Sequence, residues 1–301
     1  MKIETNVPPS ALIKTDAAEV KVASSAPKDT TKAARSDGKQ PAPVKDKMLQ
    51  WFARAGIVPS NYSAIEQDIG KRVTRHQFVK AQRKLKNLER ILELASNYSF
   101  EQSTSEEIDP DWFFSFIELA EDINAPAMQE LWGKIYAVEI SHPGSFSMKT
   151  LHILKSLTHK DAKLFKIAVS LSSRKKGEHG LKIIVGYHQK PSLLSMLRLA
   201  KHHQVNIAAH GLAYPDLLSL MDLGLIYSSE IETGELNIDS RSQYRCGPET
   251  YYLSPKKRGL SLTYYKLTST GVELARLIHG KAKSRYLEEL FQVLAVDFDL
   301  Y

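Results

Sequence analysis

The chain has 301 residues, 43% of them hydrophobic and 25% charged, with a formal net charge of +7. That composition can bury a core and leaves nucleic acid and acidic surfaces open as partners. A single cysteine, Cys246, excludes an internal disulfide, a Cys-x-x-Cys redox pair and a thiolate zinc cage.

No stretch approaches the ~18 consecutive apolar residues of a membrane span. The polar start with Pro8-Pro9 carries no secretory pattern, so no membrane and a cytoplasmic location are expected. Residues 1–45 are rich in Lys, Ala, Ser, Thr, Asp and Pro and hold no Phe, Tyr or Trp. Such a segment buries too little apolar area to offset its ordering entropy, which predicts a disordered tail.

A short amphipathic helix is predicted over Lys47–Ile57, docked through Trp51 and Phe52. Next come Phe78, Ala81, Leu85, Leu88, Leu92 and Ala95 at 3-4-3-4-3 spacing, the seam of a coiled coil. The seam either joins two copies of the chain or packs within its own domain. Helices are then predicted over Asp111–Ile123, Met128–Ile140, Met148–Leu157 and Asp161–Ser172. Asp109-Pro110, Ser145 or Ser147, and Thr158 or His159 start the first, third and fourth of these. Trp112 and Trp132 read as core anchors, and Gly133 as a point of close helix approach.

Charge is segregated along this part of the chain. Eight Lys/Arg lie between Lys71 and Arg90, including Lys71, Arg72, Arg75, Lys80, Arg83 and Lys84, and they face only Glu89. The sign reverses over Glu101–Glu139, with ten Asp/Glu against Lys134. Such blocks form a face for a partner or pair with one another inside the fold.

The run Asp111-Trp112, then Met128-Gln129-Glu130-Leu131-Trp132-Gly133-Lys134-Ile135, then Pro143-Gly144-Ser145-Phe146-Ser147 with Lys149-Thr150-Leu151, resembles the core of a bacterial protein family of unknown function. The likeness is best over 51–165 and implies no activity.

Beyond a Lys/Gly-rich loop at Arg174–Gly180, Leu181–Tyr187 reads as a strand and Ser192–His202 as a helix. Leu217–Tyr227 reads as a helix ending at Gly224 and turning into a strand. Tyr264-Tyr265-Lys266-Leu267-Thr268 with Gly271 and Leu274 reads as a strand breaking into a helix capped by Thr268. This pair is similar to the third helix, wing strand and closing helix of winged-helix domains, with a long wing over Ser228–Leu262. The helix that would enter a DNA groove shows Asp216, Ser219 and Asp222 and no Lys or Arg, a poor match to phosphates. The wing carries Arg241, Arg245, Lys256, Lys257 and Arg258.

Catalytic patterns are weak. Ser172-x-x-Lys175 lacks its companion motifs, Gly133-Lys134 lacks the rest of a phosphate loop, and the histidines lack metal spacing. Cys246 in basic surroundings could have a lowered thiol pKa. The expected fold is mainly α, α+β overall: a tail at 1–45, a helical domain at 46–160, and a winged-helix-like domain at 161–301 with a small β-wing. The expected function is non-enzymatic, with no cofactor, metal or small-molecule substrate. The partner is nucleic acid, held by the basic helix and wing, or a second copy of the chain held by the Phe78–Ala95 seam.

Overall fold

The structure, a computed structural model, describes residues 44–58, 68–98, 105–190, 203–278 and 282–301. Most of the expected tail and the expected helix Ser192–His202 lie outside the described residues. The chain divides into two units, Met1–Met48 and Leu49–Tyr301. The first is described only at 44–48, the start of helix α1 (Val44–Arg54). Trp51 and Phe52 of α1 do not dock as expected: both are exposed.

Helix α2 (Ile69–Ser96) has 28 residues, a length of ~42 Å. The side chain of Asp68 caps it by accepting from the Gly70 amide at 2.9 Å. The face it buries is Asn87, Ile91 and Ala95. That face packs on α4 (Pro126–Ser141), where a β-carbon on Gly133 would lie 3.0 Å from Leu94 Cβ and 3.1 Å from the Ile91 carbonyl. Glycine at 133 therefore sets the closeness of the two helices. A polar network crosses the same contact. Asn87 donates to the Glu121 carbonyl at 2.8 Å, and Gln129 donates to Asn87 Oδ1 at 3.1 Å.

Between them runs α3 (Pro110–Ala120), started by Asp109 accepting from the Asp111 amide and by Pro110 at the first helical position. Trp112 and Trp132 are both buried, with Phe116 between them at ring distances of 5.3 Å to each. Two further helices, α5 (Met148–Ser156) and α6 (His159–Ser170), start at Ser147 and Thr158. Thr158 and Asp161 form a reciprocal capping box.

The second half holds an antiparallel sheet of eight strands among the described residues: β1 (Ser173–Lys175), β2 (Lys182–Gln189), β3 (His203–Gln204), β4 (Ile231–Glu232), β5 (Ser242–Cys246), β6 (Glu249–Pro255), β7 (Leu260–Lys266) and β8 (Phe298–Leu300). Their order is β4-β7-β2-β1-β5-β6-β8, with β3 on β2. β6 and β7 follow one another in the chain yet stand four strand spacings apart, ~19 Å in a flat sheet. The short link between Pro255 and Leu260 turns at Gly259, whose φ is +79°, so the sheet must curl. Helix α9 (Ser284–Leu294) packs against β2, β3 and β8, burying Tyr286, Leu287, Leu290 and Leu294. Tyr286 donates to the Ile184 carbonyl at 2.7 Å.

The fold is α+β, as expected, but the expected wing segment supplies β4, β5, β6 and part of β7 to this one sheet. One hydrophobic core runs from Ile91 to Phe298, across the expected boundary at 160/161. The two segments likened to a winged helix do meet. Helix α7 (Tyr214–Asp222) leads through Gly224, at φ +71°, to Ile226, which bridges Leu267. Thr268 then caps α8 (Ser269–Ala275) through the Gly271 amide at 3.1 Å, while its own amide donates to the Leu225 carbonyl.

Candidate nucleic-acid interface

Side chains alternate across a strand, so residues two apart share a face. On β5 and β6 one face is apolar and buried: Tyr244, Cys246, Tyr251 and Leu253. The other face carries Arg241, Gln243 and Arg245, with Tyr252 opposite Gln243. Strand β1 adds Arg174 directly opposite Arg245. Lys176 follows, its amide donating to the Gln243 carbonyl at 2.9 Å.

A groove of about 430 Å³ lies between Lys176, Arg241, Gln243 and Tyr252. It shares Lys175, Lys176 and Gln243 with a second groove of about 250 Å³ that reaches Arg174 and Arg245. The two form one track across the sheet face. Arg241 lies over two rings, 4.2 Å from the centre of Tyr252 and 4.6 Å from that of Tyr301.

Among the described residues, Arg174, Lys176, Arg241 and Arg245 have no carboxylate partner. Like charges directly opposite in an antiparallel ladder repel, so the Arg174–Arg245 pair is unfavourable until an anion joins it. Glu178, the one carboxylate among the described residues that line the track, is engaged by Lys182 at 2.5 Å and Lys175 at 3.7 Å. Burial works against its ionisation, but the two lysines outweigh this and hold its carboxyl below the usual range.

The other expected contact residues divide. Lys256 donates to the Ala295 carbonyl and lies 3.7 Å from Asp299, and Lys257 pairs with Asp297. Both therefore tie the β6–β7 turn to the segment around β8. Arg258 in the same turn is exposed. On α2, Lys84 pairs with Glu121, and Arg83 lies 3.9 Å from Asp122. The hydrogen bond that Lys84 donates to Glu121 leads the effects that raise the Lys84 pKa. Arg75 donates to the Gly56 carbonyl. The acidic block thus engages the middle of α2, at Arg83 and Lys84, within the chain, and Lys71, Arg72 and Lys80 stay exposed.

The Phe78–Ala95 seam also divides. Ala95 is buried at the α4 contact and Leu88 is half-buried, while Ala81, Phe78 (66% exposed), Leu85 (57%) and Leu92 (59%) face outward. Two chemical readings fall. Cys246 is fully buried, and burial pushes its thiol up to about 11, the opposite of a reactive thiolate. Ser172 is buried and donates to the Ala168 carbonyl, while Lys175 turns to Glu178, so no Ser–Lys dyad forms.

The turn Pro143–Ser147 is clamped by two carboxylates. Glu139 accepts from the amides of Gly144 at 2.6 Å and Phe146 at 2.9 Å. Glu273 of α8 accepts from the Ser147 amide and hydroxyl and from the Thr150 hydroxyl. The N-terminus of α5 already has its anion, supplied by Glu273.

Arg174, Lys176 and Tyr252 were not expected at a site. The basic run Arg174-Lys175-Lys176 was visible as a cluster, but its register against β5 was not. Among the described residues no group of three or more His, Cys, Asp or Glu could hold a metal, and no helix is long and apolar enough to cross a membrane.

An α+β protein with a curled antiparallel sheet and a cationic, tyrosine-bearing face is the class these observations define. The chain belongs to the family described as a protein of unknown function (DUF2806), which it matches over residues 71–291, spanning both the helical part and the sheet. No curated protein and no solved structure matches it.

Proposed function

We propose that this is a non-enzymatic protein that binds a phosphate-backbone polyanion, nucleic acid, on the β1–β5–β6 face. The observation that carries this reading is the Arg174–Arg245 register pair, two arginines set opposite one another on adjoining strands, neither with a carboxylate partner among the described residues. Guanidinium forks suit phosphate oxygens, and backbone contacts of this kind supply most of non-specific affinity. The reading moves the interface off the basic helix and the Lys256–Lys257 turn. The winged-helix likeness adds little to it, because α7 presents Asp216 and Asp222.

Fluorescence anisotropy with labelled oligonucleotides across a salt series tests the proposal. The variant Arg174→Gln/Lys176→Gln/Arg245→Gln is expected to bind at least ~10-fold more weakly, with a salt slope shallower by about 2. Lys71→Gln/Arg72→Gln/Lys80→Gln is expected to change affinity far less. If the α2 variant carries the loss and the sheet variant does not, the interface is misplaced.

A second reading has its own observation, the outward Phe78, Leu85 and Leu92 at heptad spacing on a 28-residue helix. A second copy of α2 would cover that stripe as a short coiled coil. Light scattering of Leu85→Asp/Leu92→Asp is expected to give half the wild-type mass. Equal masses would remove the seam as an interface.

A further inference from the structure

We infer that the polyanion on this face is single-stranded, its bases stacking at the Tyr252–Arg241–Tyr301 group while its phosphates follow Arg245, Arg174 and Lys176. This inference rests on the proposed polyanion site and narrows it. Three observations carry it. First, the track combines cations with π surfaces. Arg241 lies between 4 and 5 Å above both tyrosine rings, and Tyr301 is 66% exposed. Paired bases in a duplex hide their faces, whereas unpaired bases offer them to such rings.

Second, the cations form one narrow strip, two adjoining segments wide. Arg241, just before β5, and Arg245 within it stand ~14 Å apart, and Arg174 of β1 and Lys176, just after it, lie alongside them. One phosphate chain fits this strip, whose width of about one strand spacing, ~5 Å, is less than the ~12 Å major groove between the two chains of a duplex. Third, the helix that would read a duplex groove in a winged helix presents Tyr214, Asp216 and Asp222, with no Lys or Arg, so the fold offers no basic element for duplex reading there.

The arrangement is tolerant of sequence, because every base has a π face and none of these side chains is fixed to read a base edge. DNA and RNA strands share the chemistry, and a 2′-hydroxyl reader is not part of the group. Both are therefore probes.

Anisotropy on the full chain with a mixed-sequence DNA strand, the same RNA strand, the DNA duplex and inorganic polyphosphate separates the possibilities. The single strands are expected to bind ~10-fold or more tightly than the duplex. Tyr252→Leu is expected to weaken single-strand binding by about 5- to 100-fold with the duplex and polyphosphate little changed, and Tyr252→Phe to restore it. Tyr301→Leu, at an exposed position, reports on the same stack without disturbing the core. Equal affinity for strand and duplex, or tyrosine variants that bind single strands like the wild type, would overturn the inference while leaving the polyanion site standing. No binding to any of the four probes would overturn the site and the inference together.

Discussion

A Gly271→Ala protein is expected to lose about 3 kcal/mol or more of unfolding free energy, read as a lower denaturant midpoint at an unchanged slope. The cause is a backbone contact. A β-carbon at 271 would stand 2.2 Å from the Leu225 carbonyl oxygen and 3.3 Å from Leu267 Cβ. Leu225 is fully buried, and its carbonyl already accepts from the Thr268 amide at 3.0 Å. No flexible side chain can move aside; the helix α8 or the backbone at Leu225 must shift. With total stability of ~5–15 kcal/mol for a domain, that is a large fraction. Gly234→Ala is the control: open space surrounds that position, and a change within ~0.5 kcal/mol is expected. Equal midpoints for Gly271→Ala and the wild type would mean that α8 slides freely past Leu225.

Glu139→Ala is expected to cost about 3 kcal/mol by the same measurement. The carboxylate is buried, and both its oxygens accept amides of the 143–147 turn. Truncation strands the buried Phe146 amide and leaves a void beside it. The pH dependence has a definite sign. Burial pushes the Glu139 carboxyl above its ordinary 4.5, the loop amides pull it back, and Glu273 adds to the rise. The folded protein then holds a proton that the unfolded chain has lost. The stability linked to that proton is present in full below about 4.5 and is lost as pH rises through the raised value. The wild type therefore loses ground to Glu139→Ala over that interval, and the difference between the two is widest in acid. A difference that grew with rising pH would reverse the assignment. Both effects bear on function through the fold, since α8 carries Glu273 as well as Gly271.

Helix starts were legible because capping is local. Asp109-Pro110, Ser147, Thr158 and Thr268 each accept an amide two or three residues ahead, and that chemistry is written in adjacent letters. The buried face of α2 was not legible. The heptad pattern pointed to Phe78, Leu85 and Leu92, whereas the face that packs includes a polar residue, Asn87, satisfied by groups from α3 and α4. An apolar pattern cannot select an asparagine whose partners lie some forty positions away. Helix α9 carries its signal in the sequence, Tyr286, Leu287, Leu290 and Leu294 at helical spacing.

The cationic face shows the same division. The basic composition, the Arg174-Lys175-Lys176 run and the basic segment beginning at Arg241 are properties of the sequence, as are the single cysteine and the turn residues that end each helix. Which cations meet is a tertiary matter. The register of β1 on β5 sets Arg174 opposite Arg245, β6 brings Tyr252 under Arg241, and ion pairs with Glu121, Asp122 and Asp297 withdraw Lys84, Arg83 and Lys257. Sequence by itself determined the charge and the local starts and stops, because these depend on neighbours in the chain. Only the tertiary structure decided which charges are neutralised and which stand together, because strand register and helix packing depend on residues far apart.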